Sequence, residues 1–237
     1  RAVEQRVAGL QIDAKSLPTL LQKLVDDQVA NAGGTYDDLV RHGETVWHAE
    51  NRYAGVTDVA LTPRGEEQAV RLASWARTAG LVAVWSSPLS RARRTAQVCA
   101  VAADLPLDVD ARLRELDFGE GEGLTSTEMT ARFPDARAAF LTDPVVHPLP
   151  GGEDPVAAAQ RFTECVQEIA EKHHDGRVLV VAHSSAIRLA LCHLIGVPLA
   201  EYRRLFPSLR NCALTELRLR ADRVGLLQFN TPPVEES

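Results

Sequence analysis

Residues 178–185 read Val-Leu-Val-Val-Ala-His-Ser-Ser, an apolar run that ends at a histidine and is followed by a helix start. A β-branched run of this kind is typical of a strand buried on both faces of a parallel sheet. Similar strand candidates alternate along the chain with helical periods: strands at 36–40 and 81–85, helices at 63–79, 89–103, 154–174 and 185–195. This alternation predicts an α/β fold with a mostly parallel sheet, and segments 213–220 and 224–230 predict a closing antiparallel hairpin.

The other two strand candidates also end in polar or basic residues. Residues 39–45 read Leu-Val-Arg-His-Gly-Glu-Thr, and residues 85–91 read Trp-Ser-Ser-Pro-Leu-Ser-Arg. The carboxyl ends of strands in an open α/β sheet meet at one edge, where ligands bind. Cationic side chains and free backbone N–H groups at all three junctions predict a phosphate-binding pocket at that edge.

The composition restricts the partners of this chain. It has 237 residues, a formal net charge of −6 and 24% charged residues. The acidic balance argues against nucleic acid or an anionic membrane as the main partner, because both require a positive field. A small phosphorylated metabolite is the expected partner, and a homodimer is a further expectation.

The cysteines and the apolar runs indicate the compartment. Four cysteines lie far apart, each in or beside an apolar stretch: Cys99, Cys165, Cys192 and Cys212. They predict buried thiols in a reducing environment, and hence a cytoplasmic protein. No apolar run reaches the ~20 residues that span a bilayer. No spacing of histidines, cysteines and carboxylates resembles a metal site, so neither a metal nor another cofactor is expected.

The two ends of the chain differ from its centre. Apolar residues recur at helical spacing over 1–34, which closes on Asn-Ala-Gly-Gly, a pattern typical of a helix C-cap and a flexible joint. We predict an N-terminal helical extension or linker over 1–34, a main domain over 35–230 and a C-terminal tail over 231–237. The extension is either a helix packed on the main domain or the end of a lost partner domain.

Other residues bear on that extension. The only methionine is Met129, which favours a fragment or a processed product. A lost partner domain would make the chain the C-terminal part of a bifunctional protein. Asp37 and Asp38 indicate that the start of the first strand is exposed or contacts the extension.

Six motifs, in order along about residues 36–220, resemble those of the histidine phosphatase superfamily, the phosphoglycerate mutase-like proteins with an Arg-His-Gly motif. They are Arg-His-Gly-Glu-Thr at 41–45, residues 55–62 with Gly65 and Gln68, residues 87–92 with Thr95, residues 113–119, Pro-Gly-Gly-Glu at 150–153, and Ala-His at 182–183. The resemblance implies a three-layer sandwich whose mostly parallel central sheet is flanked by helices. It makes residues 35–230 the histidine phosphatase domain.

The resemblance also implies catalytic roles. His42 is the nucleophile, and neutral imidazole attacks phosphorus without first losing a proton. Arg41, Arg91 and His183 stabilise the charged phosphoryl oxygens. Glu115 protonates the leaving alkoxide and then activates water, which requires a carboxyl whose pKa is raised by burial or by the phosphate.

Four positions keep alternatives open. Asp117 competes with Glu115, because two residues apart on a strand they would share a face. His48 stands where the family commonly has asparagine, so it is either a phosphate ligand through its N–H or a packed structural histidine. Ser184 replaces a frequent glycine and either narrows the pocket or adds a hydroxyl donor. His147 lies near an expected lid and is either a substrate contact or a residue of the loop without that role. The expected substrate-binding set is Arg41, His48, Arg91, His183 and Ser184.

The segment after Glu115 bears on the reaction. Mutases of this superfamily have a longer segment there, rich in basic and aromatic residues that hold a carboxylate. Here 35 residues separate Glu115 from Gly151, and Arg132 and Arg137 are the only arginines or lysines among them. We therefore expect a metal-independent phosphomonoesterase that hydrolyses a small phosphorylated metabolite through phosphohistidine. The alternatives are phosphoglycerate mutase-type phosphoryl transfer and a non-catalytic phosphate-binding scaffold.

Overall fold

Six strands form one mixed sheet in the computed structural model, which describes residues 34–220 and 223–233. In chain order they are β1 (Thr35–Arg41), β2 (Ala83–Ser86), β3 (Leu107–Val109), β4 (Arg177–Ala182), β5 (Leu214–Leu219) and β6 (Val224–Thr231). Their order across the sheet is β3-β2-β4-β1-β5-β6. The first four are parallel, whereas β5 is antiparallel to both β1 and β6. The predicted α/β fold and its closing hairpin are confirmed.

Seven α-helices lie in the described part of the chain. They are α1 (Pro63–Ala76), α2 (Ser90–Ala103), α3 (Ser126–Arg132), α4 (Pro134–Thr142), α5 (Pro155–Lys172), α6 (Ser184–Leu194) and α7 (Tyr202–Leu205). Asp154 begins α5 by accepting a hydrogen bond from the Val156 N–H, and Pro155 follows as the first helical residue. Thr125 and Glu128 form a reciprocal capping box at the start of α3.

The apolar core has two parts, one on each face of the sheet. Alternate residues of β4 divide between them: Val178 and Val180 pack with α5 and α6, whereas Leu179 and Val181 pack with α1 and α2. Since successive side chains of a strand point to opposite faces, a continuous apolar strand requires helices on both sides. The result is the expected three-layer sandwich.

The start of β1 is buried, so the exposed alternative is wrong, and the other alternative, contact with the extension, lies outside the described residues. The side chains of Asp37 and Asp38 have no solvent-exposed area. Asp38 pairs with Arg177, whose Nε lies 2.7 Å from Oδ2 of Asp38 and whose Nη2 lies 3.2 Å from Glu216. Both oxygens of Asp37 lack a hydrogen-bond partner within the described residues. Burial, with the charge of Asp38, raises the pKa of Asp37 to about 8.

The cysteines and the ends of the chain complete the comparison with the sequence. All four cysteines are free and buried, as predicted. No helix of the described part is long and apolar enough to cross a membrane. The helical extension over 1–34 lies outside the described residues except for Gly34, as does the tail beyond residue 233.

Candidate active site

Three parallel strand ends bring the first site residues together. Arg41 at the end of β1 is in register with Ala182 at the end of β4, and Ser86 of β2 is in register with Val181. The residues that follow these ends are therefore neighbours. The rings of His42 and His183 have their centroids 5.1 Å apart, and Nε2 of His183 lies 2.8 Å from the Ser87 hydroxyl.

His42 is held as one neutral tautomer. Its Nδ1 lies 2.7 Å from the Gly43 carbonyl oxygen, which can only accept, so Nδ1 bears the hydrogen. Its Nε2 is therefore unprotonated, and the lone pair of Nε2 accepts a hydrogen bond from Nε of Arg91 at 3.2 Å. Burial and the charges of Arg91 and Arg41 lower the pKa of His42 well below its ordinary value.

Arg91, in the first turn of α2, has no solvent-exposed area. Its Nη1 donates to the Thr57 carbonyl at 2.8 Å and its Nη2 to the Gly55 carbonyl at 2.6 Å. Carbonyl oxygens orient the guanidinium without neutralising its charge, so that charge remains available to an anion beside His42. Burial lowers the pKa of Arg91 from the ordinary arginine value.

Gly43 allows β1 and α1 to approach closely next to His42. A Cβ at this position would lie 2.5 Å from the carbonyl oxygen of Gly65 in α1. The Gly43 N–H donates to the Thr95 hydroxyl of α2 at 3.1 Å. The Arg-His-Gly motif therefore needs its glycine for a close backbone contact.

Arg41 and His48 meet across the cavity wall. Nη2 of Arg41, which can only donate, lies 2.5 Å from Nε2 of His48, so Nε2 accepts and the neutral ring has its hydrogen on Nδ1. That Nδ1 lies 2.9 Å from the Thr45 hydroxyl, and Nη1 of Arg41 donates to the Leu209 carbonyl at 2.7 Å. His48 therefore orients the Arg41 guanidinium in the cavity wall. Burial and Arg41 lower the pKa of His48 to about 4, so the ring is neutral at pH 7.

The Glu115 carboxylate lies at the N-terminus of α6. Its Oε1 accepts from the Ala186 N–H at 2.8 Å and its Oε2 from the Ser185 N–H at 3.0 Å. The Leu116 N–H donates to Oε1 at 2.8 Å. Because α6 begins directly after His183, the start of this helix places the Glu115 carboxylate and the His183 ring at the same end of the sheet.

Asp117 occupies a different environment from Glu115. Residues 114–118 are not a strand, so the two carboxylates do not share a strand face as the competing assignment requires. Oδ1 of Asp117 accepts a hydrogen bond from the Gly119 N–H at 2.8 Å. Glu115 lines the cavity described next and Asp117 does not, which favours Glu115 as the proton donor.

A cavity of about 450 Å³ opens beside these groups. Its wall includes six residues of the three junctions and their surroundings: Arg41, His42, Thr45, His48, Glu115 and Ser184. Arg91 and His183 do not line it but lie against His42. His147 is exposed and lies outside the wall. In the described part of the chain, no cluster of three His, Cys, Asp or Glu side chains could hold a metal ion.

The cavity residues that the sequence reasoning missed include two arginines without a salt bridge among the described residues, Arg188 and Arg203. Arg188 lies one turn after Ser184 on α6, so its helical spacing from the junction was a usable signal. Arg203 belongs to α7, a four-residue helix with no apolar periodicity, and no local signal marks it.

The two arginines of the expected lid do not line the cavity. Arg132 pairs with Glu120 at 3.2 Å, and Arg137 is buried.

Comparisons with known proteins show the family to which this chain belongs. The model of the histidine phosphatase superfamily (branch 1) matches residues 38–232, and the chain belongs to this superfamily. A probable phosphoglycerate mutase GpmB of Citrobacter koseri is 36% identical over 179 residues, which cover 76% of this chain and 82% of that protein.

Two solved structures show the same fold. One is a mycobacterial glucosyl-3-phosphoglycerate phosphatase in complex with VO3, with a TM-score of 0.76 and 30% identity, covering 83% of this chain and 99% of the other. The second is a putative alpha-ribazole-5'-P phosphatase of Escherichia coli, also with a TM-score of 0.76, at 26% identity and covering 85% and 98%. Both phosphatases and a mutase-like protein are therefore similar to this chain.

Proposed function

We propose that this protein is a phosphomonoesterase that hydrolyses a small phosphorylated metabolite through phospho-His42. The observation that supports this most directly is the state of His42: neutral, with its Nδ1 hydrogen bonded to Gly43 and its Nε2 lone pair beside Arg91. A nucleophile in this state needs no base to activate it.

In the first step, Nε2 of His42 attacks phosphorus and the bond to the leaving oxygen breaks. Arg41, Arg91 and His183 stabilise the charge on the phosphoryl oxygens, and His48 orients Arg41 by accepting a hydrogen bond from it. Glu115 supplies the proton to the leaving alkoxide. Three backbone N–H groups orient its carboxyl group.

In the second step, Glu115 accepts a proton from water, whose oxygen attacks the phosphorus of phospho-His42. Phosphate leaves and His42 returns to its neutral form. Arginine charges fixed by backbone carbonyls suffice for this chemistry, so the proposed mechanism uses no metal. Ser184, on the cavity wall, is a further hydroxyl donor to the phosphate.

Hydrolysis is favoured over mutase-type transfer by the expected lid. Neither of its arginines lines the cavity, because Arg132 is paired with Glu120 and Arg137 donates to the Tyr53 hydroxyl at 3.3 Å. The two solved relatives described above are titled as phosphatases, whereas the Citrobacter relative is titled as a probable mutase. A scaffold without catalysis is disfavoured because all five residues with an expected catalytic role are present: Arg41, His42, Arg91, Glu115 and His183.

The test is the release of phosphate from 4-nitrophenyl phosphate in the presence of EDTA. We expect turnover by the wild type and a loss of about 10⁴-fold or more in His42→Ala, because the covalent route disappears. His147→Ala, at an exposed histidine off the cavity, is the matched control and should behave as the wild type. After rapid quench with labelled substrate, an acid-labile and base-stable label should lie on His42, and a label on serine would contradict the proposal.

A further inference from the structure

Two guanidinium groups in the cavity wall are not used by the proposed phosphoryl chemistry. Arg188 of α6 and Arg203 of α7 both line the cavity, and neither forms a salt bridge with a carboxylate among residues 34–220 and 223–233. They are close enough to each other for the charge of Arg203 to disfavour the charged form of Arg188. Together we call them the second arginine pair.

Arg188 is oriented by backbone carbonyls. Its Nε donates to the Ser184 carbonyl at 3.0 Å and its Nη1 to the Phe206 carbonyl at 3.1 Å. The guanidinium lies over the Tyr202 ring, 5.2 Å from its centroid. These contacts hold the group near the start of α6, and they leave Nη2 without a protein acceptor in the described part of the chain.

Arg203 is oriented mainly by aromatic rings. Its guanidinium lies 4.5 Å from the Phe140 centroid and 5.4 Å from the Tyr202 centroid, while its Nε donates to the Tyr202 hydroxyl at 2.9 Å. Stacking uses the flat faces of a guanidinium and leaves its N–H edge for planar anions. The two terminal nitrogens of Arg203 have no acceptor among the described residues.

The charges of the cavity wall are unbalanced. Four arginines line it, and Glu115 is its only carboxylate among the described residues. Arg52 is neutralised by Glu50 and Glu128, at 2.7 and 2.8 Å. A phosphoryl group beside His42 would neutralise Arg41, and Glu115 would remain as the only carboxylate of the described cavity wall for the two guanidinium groups of the second arginine pair. Half-buried cations without a partner are costly unless a ligand supplies the anion.

We propose that the second arginine pair binds a carboxylate of the substrate, so that the enzyme acts on small phosphomonoesters that also have a carboxylate group. This inference rests on the proposed function, since it concerns the same cavity. Arg188 and Arg203 present N–H groups from two directions, which suits the two oxygens of a planar carboxylate. In this chain α6 and α7, and not the lid arginines, supply the acid-binding cations.

The first experiment measures binding in a His42→Ala background, where the ligand is not consumed. Calorimetry compares 3-phosphoglycerate with glycerol 3-phosphate, which differ only by carboxylate against hydroxymethyl. We expect the acid to bind about tenfold or more tightly, the usual effect of a charge-assisted hydrogen bond. Equal affinities would overturn the subsite.

The matched variants are Arg203→Met and Arg204→Met. Arg204 is the neighbouring residue on α7, mostly exposed and paired with Glu201, and it does not line the cavity. Arg203→Met should reduce the preference for the acid to about one, whereas Arg204→Met should keep it. An equal loss of affinity for both ligands in Arg203→Met would show a merely structural role and overturn the proposal. Arg188→Lys provides a second, charge-conserving variant, and it should lower the preference while retaining part of it.

A third ligand, glycerol 1,3-bisphosphate, tests the chemistry of the anion. Weaker binding than the acid supports a carboxylate, and tighter binding that Arg203→Met abolishes would replace the carboxylate with a second phosphate.

Measurements of turnover distinguish the failure of the subsite proposal from the failure of the phosphatase proposal. Hydrolysis of 4-nitrophenyl phosphate without any preference for the acid would contradict the subsite alone. Selective binding of the acid without hydrolysis of any ester would contradict the phosphatase proposal alone.

Discussion

The two arginine groups at the cavity are built in different ways. Arg41 ends β1 and Arg91 lies in the first turn of α2, and backbone carbonyls of Leu209, Gly55 and Thr57 orient their N–H groups. In the second arginine pair, carbonyls orient Arg188 alone, and the ring of Tyr202 lies against both guanidinium groups. In the proposed reaction, Arg41 and Arg91 bind the phosphoryl group. The second arginine pair binds the carboxylate of the same substrate.

The largest effect that tests this difference is expected in Arg91→Met. Removing a fixed donor to the transferring group should lower kcat/KM by about 10²–10³. Because every substrate has a phosphoryl group, the loss should be similar for 4-nitrophenyl phosphate and for a phosphorylated acid. Arg93→Met, exposed on the same helix, is the control. A loss restricted to the acid would show that the two arginine groups are not distinct.

The next effect concerns the proton of the leaving group. Glu115→Gln should slow an alkyl phosphate about 10²-fold more than 4-nitrophenyl phosphate, because nitrophenolate leaves without protonation. Asp117→Asn tests the competing assignment and should leave the ratio between the two substrates unchanged. If Asp117→Asn changes that ratio and Glu115→Gln does not, the assignment reverses.

A smaller effect is expected at His48. His48→Asn should keep kcat/KM within about threefold, since the amide oxygen can also accept a hydrogen bond from Arg41, whereas His48→Leu should lose about tenfold. The pKa of His48 is about 4, so protonation of this ring does not set the pH dependence between pH 5 and 8. The pH–rate profile of His48→Asn should therefore overlay that of the wild type, and a displaced limb in this range would contradict the neutral tautomer.

A buried charge without a partner destabilises a fold, and Asp37 allows a test of this outside the cavity. Its pKa is about 8 in the fold and 3.8 as the ordinary value, so unfolding releases a proton between these pH values. The free energy of unfolding therefore falls as pH rises from about 4 to about 8. The Asp37→Asn variant lacks this pH dependence, because its amide does not titrate. In chemical denaturation, the variant and the wild type should have equal free energies of unfolding near pH 4. At pH 8 the variant should be more stable by about 1 kcal/mol or more. A gap that does not change with pH would disprove the buried, protonated carboxyl.

Most of the fold could be predicted because its elements are strongly patterned. The predicted strands and helices differ from the observed ones by at most three residues at their ends. The short elements were missed: β3 is the three-residue edge strand Leu107–Val109, and α3, α4 and α7 have at most nine residues each. Such lengths contain too little periodicity to distinguish a helix or strand from a loop.

Asp37 shows why local polarity misled. Two acidic residues in a strand indicate exposure, yet β1 lies between β4 and β5, with Arg177 beside Asp38. Similarly, residues 113–119 allowed a strand with Glu115 and Asp117 on one face, but the segment is irregular. Contacts with residues distant in the chain decided both cases.

The sequence by itself determined the α/β class, the strand-end positions of Arg41, His42 and His183, and the resemblance to the superfamily to which the chain belongs. It could do so because strand periodicity is local and because parallel strands bring their carboxyl ends to one edge. Only the tertiary structure decided the tautomer of His42, the separation of Glu115 from Asp117, and the approach of Arg203 to Arg188. Each depends on the direction in which a side chain points, and that direction follows from packing and not from the residue pattern.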